Sequence, residues 1–301
     1  MNTIGVLARP DLREAGPTLV GLVDWLGRRN VRVCLDEATS ALGDGSLTAS
    51  CLVASGREMA ELADALVVLG GDGTLLAASR LLEKPIPVLG VNFGSLGFLT
   101  EITLDDLYPA LESVLDGRFE HEERRLLRVV VRRRNRPDVT ADVLNDVVIT
   151  KAGPSRIIEV DVAVDGAFVS SFRADGIIVS SPTGSTAYNL AAGGPILHPT
   201  LPAVVITPIC PHMLTNRPLV VSDEVRIEVR LRAARDVEVY AALDGQVTFA
   251  FADGDDVVVT GSPRRLKLVK APGRDYYAVL RTKLKWGDAG NGTAREDEPS
   301  E

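Results

Sequence analysis

The sequence predicts two domains, an α/β domain built on a parallel sheet and a mainly antiparallel, β-rich domain after it. The 301 residues exceed the roughly 100–200 residues that a single domain usually takes. In the N-terminal third, short β-branched runs alternate with segments of helical period, which is typical of a parallel sheet covered by helices on both faces. After Phe119, strand-like runs dominate, and turn dipeptides such as Asp165-Gly166 separate some of them, which indicates antiparallel strands.

The elements of the first domain follow from the spacing of its apolar residues. We expect strands at 3–7, 31–35, 65–69 and 87–91. We expect helices at 17–28, 58–62, 74–82 and 105–115, the last of them closed by Gly117. The first domain is therefore predicted to span residues 1–118.

The second domain is predicted to span residues 119–270 and to consist almost entirely of strands. The expected strands are 127–133, 143–150, 157–164, 176–180, 203–207, 225–230, 237–241 and 256–259. Only the stretch after Thr183 has a helical character. An apolar strand or helix at 277–284 is expected to dock residues 271–286 back onto the first domain. Residues 287–301 are acidic, polar and rich in glycine, so we expect a disordered tail.

The composition excludes several classes of function. A net charge of −8 disfavours nucleic-acid and membrane-surface binding, both of which depend on basic residues. The three cysteines form no CxxC pair and the three histidines have no zinc-ligand spacing, so we expect reduced thiols and no protein metal site. No signal peptide and no apolar run of roughly 18 residues is present, so we expect a cytoplasmic protein.

A glycine-rich loop at 70–74 is the first motif that indicates chemistry. Gly70, Gly71 and Gly73 surround Asp72 at the end of a buried strand, and a helix begins near Thr74. Such glycines and a helix N-terminus favour phosphate binding, and a carboxylate among them suits activation of an attacking hydroxyl. The alternative is a tight turn in which Asp72 caps the helix. The chain has no GxxxxGK[ST] loop, no GxGxxG after a strand and no GxSxG elbow.

Three further segments carry polar residues where strands end. Residues 92–100 form a second glycine-rich loop, which parallel strands would bring to the same crevice as 70–74. Asn145 and Asp146 interrupt an apolar strand and offer both donors and acceptors, although a turn or bulge is equally consistent with them. Residues 172–195 contain a hydroxyl-rich loop and Tyr188, with an N-capped helix as the alternative interpretation.

Taken in order, these segments resemble the NAD kinase family, the ATP- or polyphosphate-dependent 2′-kinases of NAD. The resemblance runs from about residue 1 to 285. Its motifs are GGDGT, NFGSLGFL, LNDVVI, ADGIIVSSPTGSTAYNLAAGGP, TPICPHMLTNRP and DGQ, at residues 70–74, 92–99, 144–149, 174–195, 207–218 and 244–246. GGDGT is shared with lipid kinases of the diacylglycerol type, whereas the PTGSTAY block with ND ahead of it is more specific.

The resemblance implies a Rossmann-like N-terminal domain, a β-sandwich-like C-terminal domain and a dinucleotide bound between them. It implies that Asp72 activates the 2′-hydroxyl of the adenosine ribose and that Gly70, Gly71, Gly73 and Thr74 line the phosphate site. The implied NAD-binding residues are Asn92, Phe93, Asn145, Asp146, Arg173, Asp175, Thr183, Thr186, Ala187, Tyr188 and Gln246. The family often has Glu where this chain has Asp146. Homodimers or homotetramers with sites shared across the interface are common in the family.

The nature of the substrates gives two further expectations. We expect Mg²⁺ or another divalent cation to arrive with ATP, because the sequence has no dense cluster of carboxylates to hold it. Arg173 lies near the expected nicotinamide position, where a cation would disfavour oxidised NAD and spare NADH. We therefore hypothesise that NADH is also accepted, with a surface salt bridge as the alternative role of Arg173.

Two other functions compete with NAD phosphorylation. A lipid kinase of the diacylglycerol type shares GGDGT but needs an apolar acceptor pocket and a membrane approach, which the acidic charge and hydroxyl-rich loop disfavour. A non-catalytic NAD(H) sensor is the second alternative, and the presence of Asp72 argues against it. The sequence leaves open the preferred phosphoryl donor, the preference for NAD or NADH, the oligomeric state and feedback by NADPH.

Overall fold

The computed structural model describes residues 1–43, 47–94, 96–134, 136–153, 156–232, 237–271 and 273–286. The tail predicted at 287–301 and Ser95 of the second glycine-rich loop lie outside these residues. Among the described residues, no helix is long and apolar enough to cross a membrane.

The N-terminal part alternates strands and helices as predicted. Its elements are β1 (Thr3–Ala8), α1 (Ala15–Gly27), β2 (Arg32–Asp36), α2 (Glu37–Ser40), α3 (Leu47–Ser50), β3 (Leu52–Ala54), α4 (Gly56–Leu62), β4 (Ala65–Leu69), α5 (Asp72–Ser79), β5 (Pro87–Val91) and α6 (Leu107–Leu115). The five strands are parallel, in the order β3-β2-β1-β4-β5. That order matches a Rossmann-type sheet, in which the strand order reverses between β1 and β4 while all the strands stay parallel.

The C-terminal part is dominated by strands, which confirms the predicted fold class. Its elements are β6 (His121–Arg133), β7 (Arg136–Val143), β8 (Asp146–Lys151), β9 (Ile158–Val164), β10 (Ala167–Ala174), β11 (Gly176–Ser180), α7 (Tyr188–Ala191), β12 (Ala203–Ile209), β13 (Leu219–Ser222), β14 (Ile227–Arg232), β15 (Val239–Leu243), β16 (Val247–Phe251), β17 (Asp256–Val269) and α8 (Tyr276–Leu284). A short 3₁₀ turn, Gly184–Thr186, precedes α7.

Two sheets pack face to face in this part. One is a six-stranded antiparallel sheet in the order β13-β12-β11-β8-β15-β16. The other contains β10-β9-β14-β17, with β6 and β7 paired off β17. Alternate apolar residues of both sheets, such as Val160, Val179 and Val229, fill one continuous core between them. This arrangement is the expected sandwich-like domain.

The strand β17 joins the two parts into one sheet. It pairs antiparallel with β14 and β6, and its last residues pair parallel with β5 at Lys267–Pro87 and Leu268–Val88. The parallel sheet therefore continues into the C-terminal part as an 11-stranded sheet. The boundaries 1–118 and 119–270 remain proposals, since hydrogen bonds cross them.

Some elements differ from the sequence prediction. The strand expected at 143–150 is two strands, β7 and β8, separated at Leu144 and Asn145. The strand expected at 256–259 continues to Val269. The sequence prediction missed short or half-exposed elements, namely α2, α3, β3, β7, β10, β13 and β16. The last apolar segment, left open between strand and helix, is the helix α8.

Candidate active site

The glycine-rich loop lies where the order of the parallel strands reverses, between β1 and β4. Ala8 at the end of β1 pairs with Leu69 at the end of β4, and Gly70 and Gly71 follow directly. Ligands of open α/β sheets bind in the crevice at this switch point. A Cβ on Gly70 would lie 2.5 Å from Thr74 Oγ1, so the close turn requires glycine there, whereas Gly71 and Gly73 face open space.

Asp72 is the first residue of α5, two residues earlier than the predicted helix start. Its Oδ2 accepts a hydrogen bond from the Phe98 amide at 2.8 Å. Its Oδ1 accepts from the Leu99 amide, the Thr100 amide and Thr100 Oγ1, at 3.1, 3.0 and 2.9 Å. Asp72 therefore holds the second glycine-rich loop rather than capping its own helix.

The two carboxylate oxygens of Asp72 differ in how many further hydrogen bonds they can accept. A carboxylate has about four lone-pair sites, and Oδ1 uses three hydrogen bonds while Oδ2 uses one. Asp72 is also half-buried rather than enclosed. Oδ2 can therefore accept a further hydrogen bond from a substrate hydroxyl without breaking the loop.

A cavity of about 380 Å³, here called the glycine-loop cavity, opens beside Gly70, Gly71 and Asp72. Asn92 and Phe93 from the loop after β5 form part of its wall. The Asn92 amide is used within its own loop, since Nδ2 donates to Thr100 Oγ1 and Oδ1 accepts from the Gly94 amide. A second cavity of about 600 Å³ shares Asn92 and Phe93 and extends along α8.

The break between β7 and β8 is held by a residue from a distant turn. Asp244 accepts hydrogen bonds from the backbone amides of Leu144, Asn145 and Asp146 at 3.0, 2.7 and 3.2 Å. Among the described residues, none hydrogen-bonds the side-chain amide of Asn145. That amide is therefore available to a ligand.

Asp146 is a buried acid beside a second one. Its side chain is 4% exposed, and burial followed by repulsion from Asp244 raises the pKa of Asp146 to about 7. Burial also raises the pKa of Asp244, although the three backbone amides oppose that effect. Burial and the repulsion from Asp244 therefore both disfavour the ionised form of Asp146.

The hydroxyl-rich loop lies against the same break. Asn145 O accepts from the Ser181 amide, and a Cβ on Gly184 would clash with that oxygen. The Thr183 hydroxyl is buried and has no partner among the described residues, which is costly unless a ligand supplies one. Thr186 donates to Thr183 O, Ala187 lies between the 3₁₀ turn and α7, and Tyr188 is 45% exposed.

Gln246 connects the two halves of the site. Its Nε2 donates to Gly73 O at 2.8 Å, so the turn that carries Asp244 reaches the glycine-rich loop. Hydrogen bonds in this way connect residues 70–74, 145–146 and the start of the 183–188 loop, and the region where these segments meet is here called the cleft.

The structure does not bring Arg173 and Asp175 to this cleft. In the β8–β11 pair, Asp146 faces Ser180 at one end, and Lys151 lies beside Asp175 at the other, about 16 Å along the strands at roughly 3.3 Å per residue. Lys151 Nζ forms a 2.9 Å ion pair with Asp175. Arg173 is exposed on β10.

The sequence analysis did not single out Asp244, Thr100 or Lys151 as site residues. Asp244 begins an Asp-Gly turn, and its left-handed backbone, with φ of 51°, fits that turn. Its carboxylate reaches residues about a hundred positions earlier in the chain. The only sequence signal was its place in the DGQ motif.

The two-part fold, with a glycine-rich loop beside a carboxylate at the switch point of the parallel sheet, fits a phosphotransferase. Residues 4–119 match the model of the ATP-NAD kinase N-terminal domain, and residues 144–271 match that of the ATP-NAD kinase C-terminal domain. The chain belongs to the NAD kinase family. The lipid-kinase and sensor alternatives have no support from these matches.

Curated relatives match three quarters or more of the chain. The NAD kinase of Citrifermentans bemidjiense is 46% identical over 291 residues, covering 96% of this chain and all of the relative. That of Geobacter sulfurreducens is 54% identical over 75% of this chain and 80% of the relative.

Two solved structures share the fold. The yeast NADH kinase complexed with NADH has a TM-score of 0.88 at 24% identity, covering 98% of this chain and 90% of the other. An NAD kinase from Archaeoglobus fulgidus in complex with ATP has a TM-score of 0.74 at 26% identity, covering 94% of this chain and 98% of the other.

Proposed function

We propose that this NAD kinase uses Asp72 as the general base that takes the proton of the 2′-hydroxyl of the adenosine ribose. The observation that carries this assignment is the Asp72 carboxylate, fixed by four donors while Oδ2 keeps acceptor capacity at the glycine-loop cavity. A positioned base needs such a fixed geometry before its basicity matters. Gly70, Gly71, Gly73 and Thr74 present backbone to the phosphoryl group in transfer.

The NAD-binding residues are proposed from groups that lack partners. The Thr183 hydroxyl and the side-chain amide of Asn145 have no hydrogen-bond partner within the described chain, whereas the Asn145 backbone amide is held by Asp244. Asp146, Thr186, Ala187 and Tyr188 are their neighbours in the chain, Gln246 bonds to Gly73 O, and Asn92 and Phe93 line the glycine-loop cavity.

The proposed donor is ATP, or polyphosphate, carrying Mg²⁺ or another divalent cation as part of the substrate. The described residues contain no group of three or more His, Cys, Asp or Glu side chains that would hold a metal ion. The carboxylates of the cleft and of the glycine-loop cavity, such as Asp72 and Asp146, form no such cluster, which suits a cation that the phosphates themselves bind. The cation would neutralise charge on the transferring phosphoryl group.

We propose a homodimer or homotetramer in the cytoplasm, in which Asp175 and Arg173 face the nicotinamide end of NAD held by another copy. The separation of about 16 Å from Asp146 supports this arrangement at roughly 3.3 Å per residue. Met213, Leu214 and Leu219, which follow β12, expose apolar side chains that a second copy would cover. Light scattering measures the oligomeric state, and a monomer would contradict the proposal.

Acceptance of NADH is proposed from the cations near Asp175. Arg173 and Lys151 both lie at that end of the strands, and positive charge there disfavours the cationic ring of oxidised NAD more than the neutral ring of NADH. The ratio of kcat/KM for NAD to that for NADH should rise in Arg173→Gly. An unchanged ratio would contradict this role of Arg173.

The direct test is formation of NADP by the purified protein with NAD, ATP and Mg²⁺, with Asp72→Asn measured in parallel. Turnover by the wild type that is lost in the variant supports both the donor and the base. The same assay with polyphosphate, with NADH and with diacylglycerol separates the remaining substrates. Turnover of the lipid alone would overturn the proposal.

A further inference from the structure

The C-terminal helix α8 docks on the first domain next to the cleft. Asp275 caps its N-terminus by accepting from the Ala278 amide at 2.8 Å, and Val279 and Leu280 are buried. Just before it, Arg274 donates to the backbone oxygen of Glu101 at 2.9 Å. Glu101 directly follows the loop that Asp72 holds, so α8 and the glycine-rich loops are parts of one packed unit.

Lys283 lies on the buried face of α8 and reaches the glycine-loop cavity. Lys283 lies four residues after Val279 and three after Leu280, so all three share one helix face. Its side chain is half-buried and forms part of the wall of the cavity that Gly70, Gly71 and Asp72 also line. The neighbouring Arg281 is exposed and is absent from that wall.

Lys283 is the cation of this wall that carries no acidic partner. Arg9 also lines the cavity, but its Nε is 2.8 Å from Asp11 in an ion pair. Among the described residues, no carboxylate lies within salt-bridge distance of the Lys283 ammonium. The amides of Asp72 and Gly73 at the start of α5 also lack backbone acceptors there. The Lys283 ammonium and the start of α5 therefore bring positive potential to this cavity, whose wall also contains the carboxylates of Glu14 and Asp72.

We propose that Lys283 binds the phosphoryl chain of the donor in the glycine-loop cavity, so that α8 is part of the donor site. A lysine suits phosphate oxygens as a mobile point charge, and it requires no particular base or sugar. The chemistry recognised is a linear chain of phosphoryl groups, which ATP and polyphosphate share. The inference rests on the proposed function and extends it to a residue of the last helix.

The test compares Lys283→Met with Arg281→Met, each of which removes one positive charge from α8. A lost charge-assisted hydrogen bond corresponds to about a 10- to 100-fold change, so KM for ATP should rise by that factor in Lys283→Met. If the wild type uses polyphosphate, its KM should rise in parallel. KM for NAD should stay unchanged, and Lys283→Arg should restore most of the affinity for the donor.

A merely structural role for Lys283 gives a different result. A cation in the last turn also complements the helix dipole, but Arg281 does so equally, and both variants would then lose similar stability. Unchanged KM for every donor in Lys283→Met, or an equal rise in KM for ATP in Arg281→Met, would overturn the inference.

Calorimetric titration with ATP keeps the inference separate from the proposed function. If the wild-type protein binds ATP more tightly than Lys283→Met does, the role of Lys283 is supported even if no NADP forms. NADP formation by the wild type separately tests the proposed function. Equal ATP binding by the wild type and Lys283→Met would overturn the inference while leaving the activity intact.

Discussion

Hydrogen-bond donors converge on the Asp72 carboxylate, and all of them belong to residues 98–100. The side chain therefore fixes the position of a loop as well as its own orientation. Substitutions at this residue combine a chemical effect with a structural one, so a matched variant is needed to separate them.

Asp72→Asn should lower kcat by about 10²–10⁴-fold, the usual cost of losing a general base. The amide nitrogen cannot accept from the Phe98 amide, so the free energy of unfolding should also fall by about 1–3 kcal/mol. Thr100→Val is the matched control, because it removes a bond to Oδ1 and keeps the carboxylate. The assignment fails if both variants lose kcat to the same extent.

Asp146 gives stability a defined pH dependence. The folded-state pKa of about 7 lies above the unfolded value of 3.8, so the protonated acid favours the fold and that contribution is lost as pH rises between these values. Asp146→Asn cannot ionise, so its stability relative to wild type should improve by up to about 4 kcal/mol between about pH 4 and about pH 8. Urea unfolding at both pH values measures the difference.

Asp64 is the control of opposite sign. Hydrogen bonds from the Asn2 and Thr3 amides lower the pKa of Asp64, so its contribution to stability is present at neutral pH and is lost as pH falls through the folded pKa. Asp64→Asn should therefore be most destabilising at neutral pH. The same slope in both variants would contradict the assigned pKa directions.

At the scale of elements, α8 is a short helix whose position depends on its ends. Its N-terminus is capped by Asp275, and its last residue is followed by Lys285 in a left-handed conformation, with φ of 53°. Its buried side chains and Arg274 fix it to the first domain. Weakening the cap should therefore also disturb the other end of the helix, where Lys283 lines the glycine-loop cavity.

Asp275→Ala should destabilise α8 by about 1 kcal/mol, the usual value of an N-cap. Amide exchange in α8 should accelerate, and KM for ATP should rise by up to about fivefold, the equivalent of that free energy. Ser55→Ala, which removes the capping box of α4, should cost similar stability and leave KM for ATP unchanged. An unchanged KM for ATP in Asp275→Ala would show that the stability of α8 does not affect donor binding.

Elements with a strong local sequence pattern could be predicted, whereas those whose position depends on distant residues could not. The strands at 65–69, 87–91 and 176–180 match their predicted bounds because each is a continuous buried apolar run. β13 and β16 were missed because they lie at the two edges of the six-stranded sheet and are half-exposed, so their pattern is weak. The break at Asn145 depends on Asp244, which no local pattern indicates.

The candidate site divides in the same way. The motifs predict roles for Asp72, Asn145 and Thr183, because glycine and polar residues at strand ends are local signals. The hydrogen bonds of Asp72 to residues 98–100, and the distance between Asp175 and Asp146, are properties of register and loop packing. Those properties emerge only when strands from different parts of the chain are paired.

At the scale of the whole molecule, β17 makes the two parts one structural unit. Its hydrogen bonds to β5, β6 and β14 cross the proposed domain boundary, and Gln246 adds a contact at the cleft. Multi-domain chains often unfold in stages, but strands that share a ladder lose their partners together.

The described chain should therefore unfold in a single calorimetric transition, with calorimetric and van't Hoff enthalpies equal. Differential scanning calorimetry measures both enthalpies, and scans at two heating rates check that the transition is at equilibrium. Two resolved peaks would show that the parts melt independently despite β17.

The shared strand also limits how the gene can be divided. A fragment that ends at residue 118 would leave β5 without its β17 neighbour and present an unpaired edge of the parallel sheet. Exposed edges of that kind recruit other chains, so the isolated fragment should aggregate rather than act as a small module. Inheritance of the two parts as a single reading frame follows from the sheet itself, since the final strand of the second part completes the first.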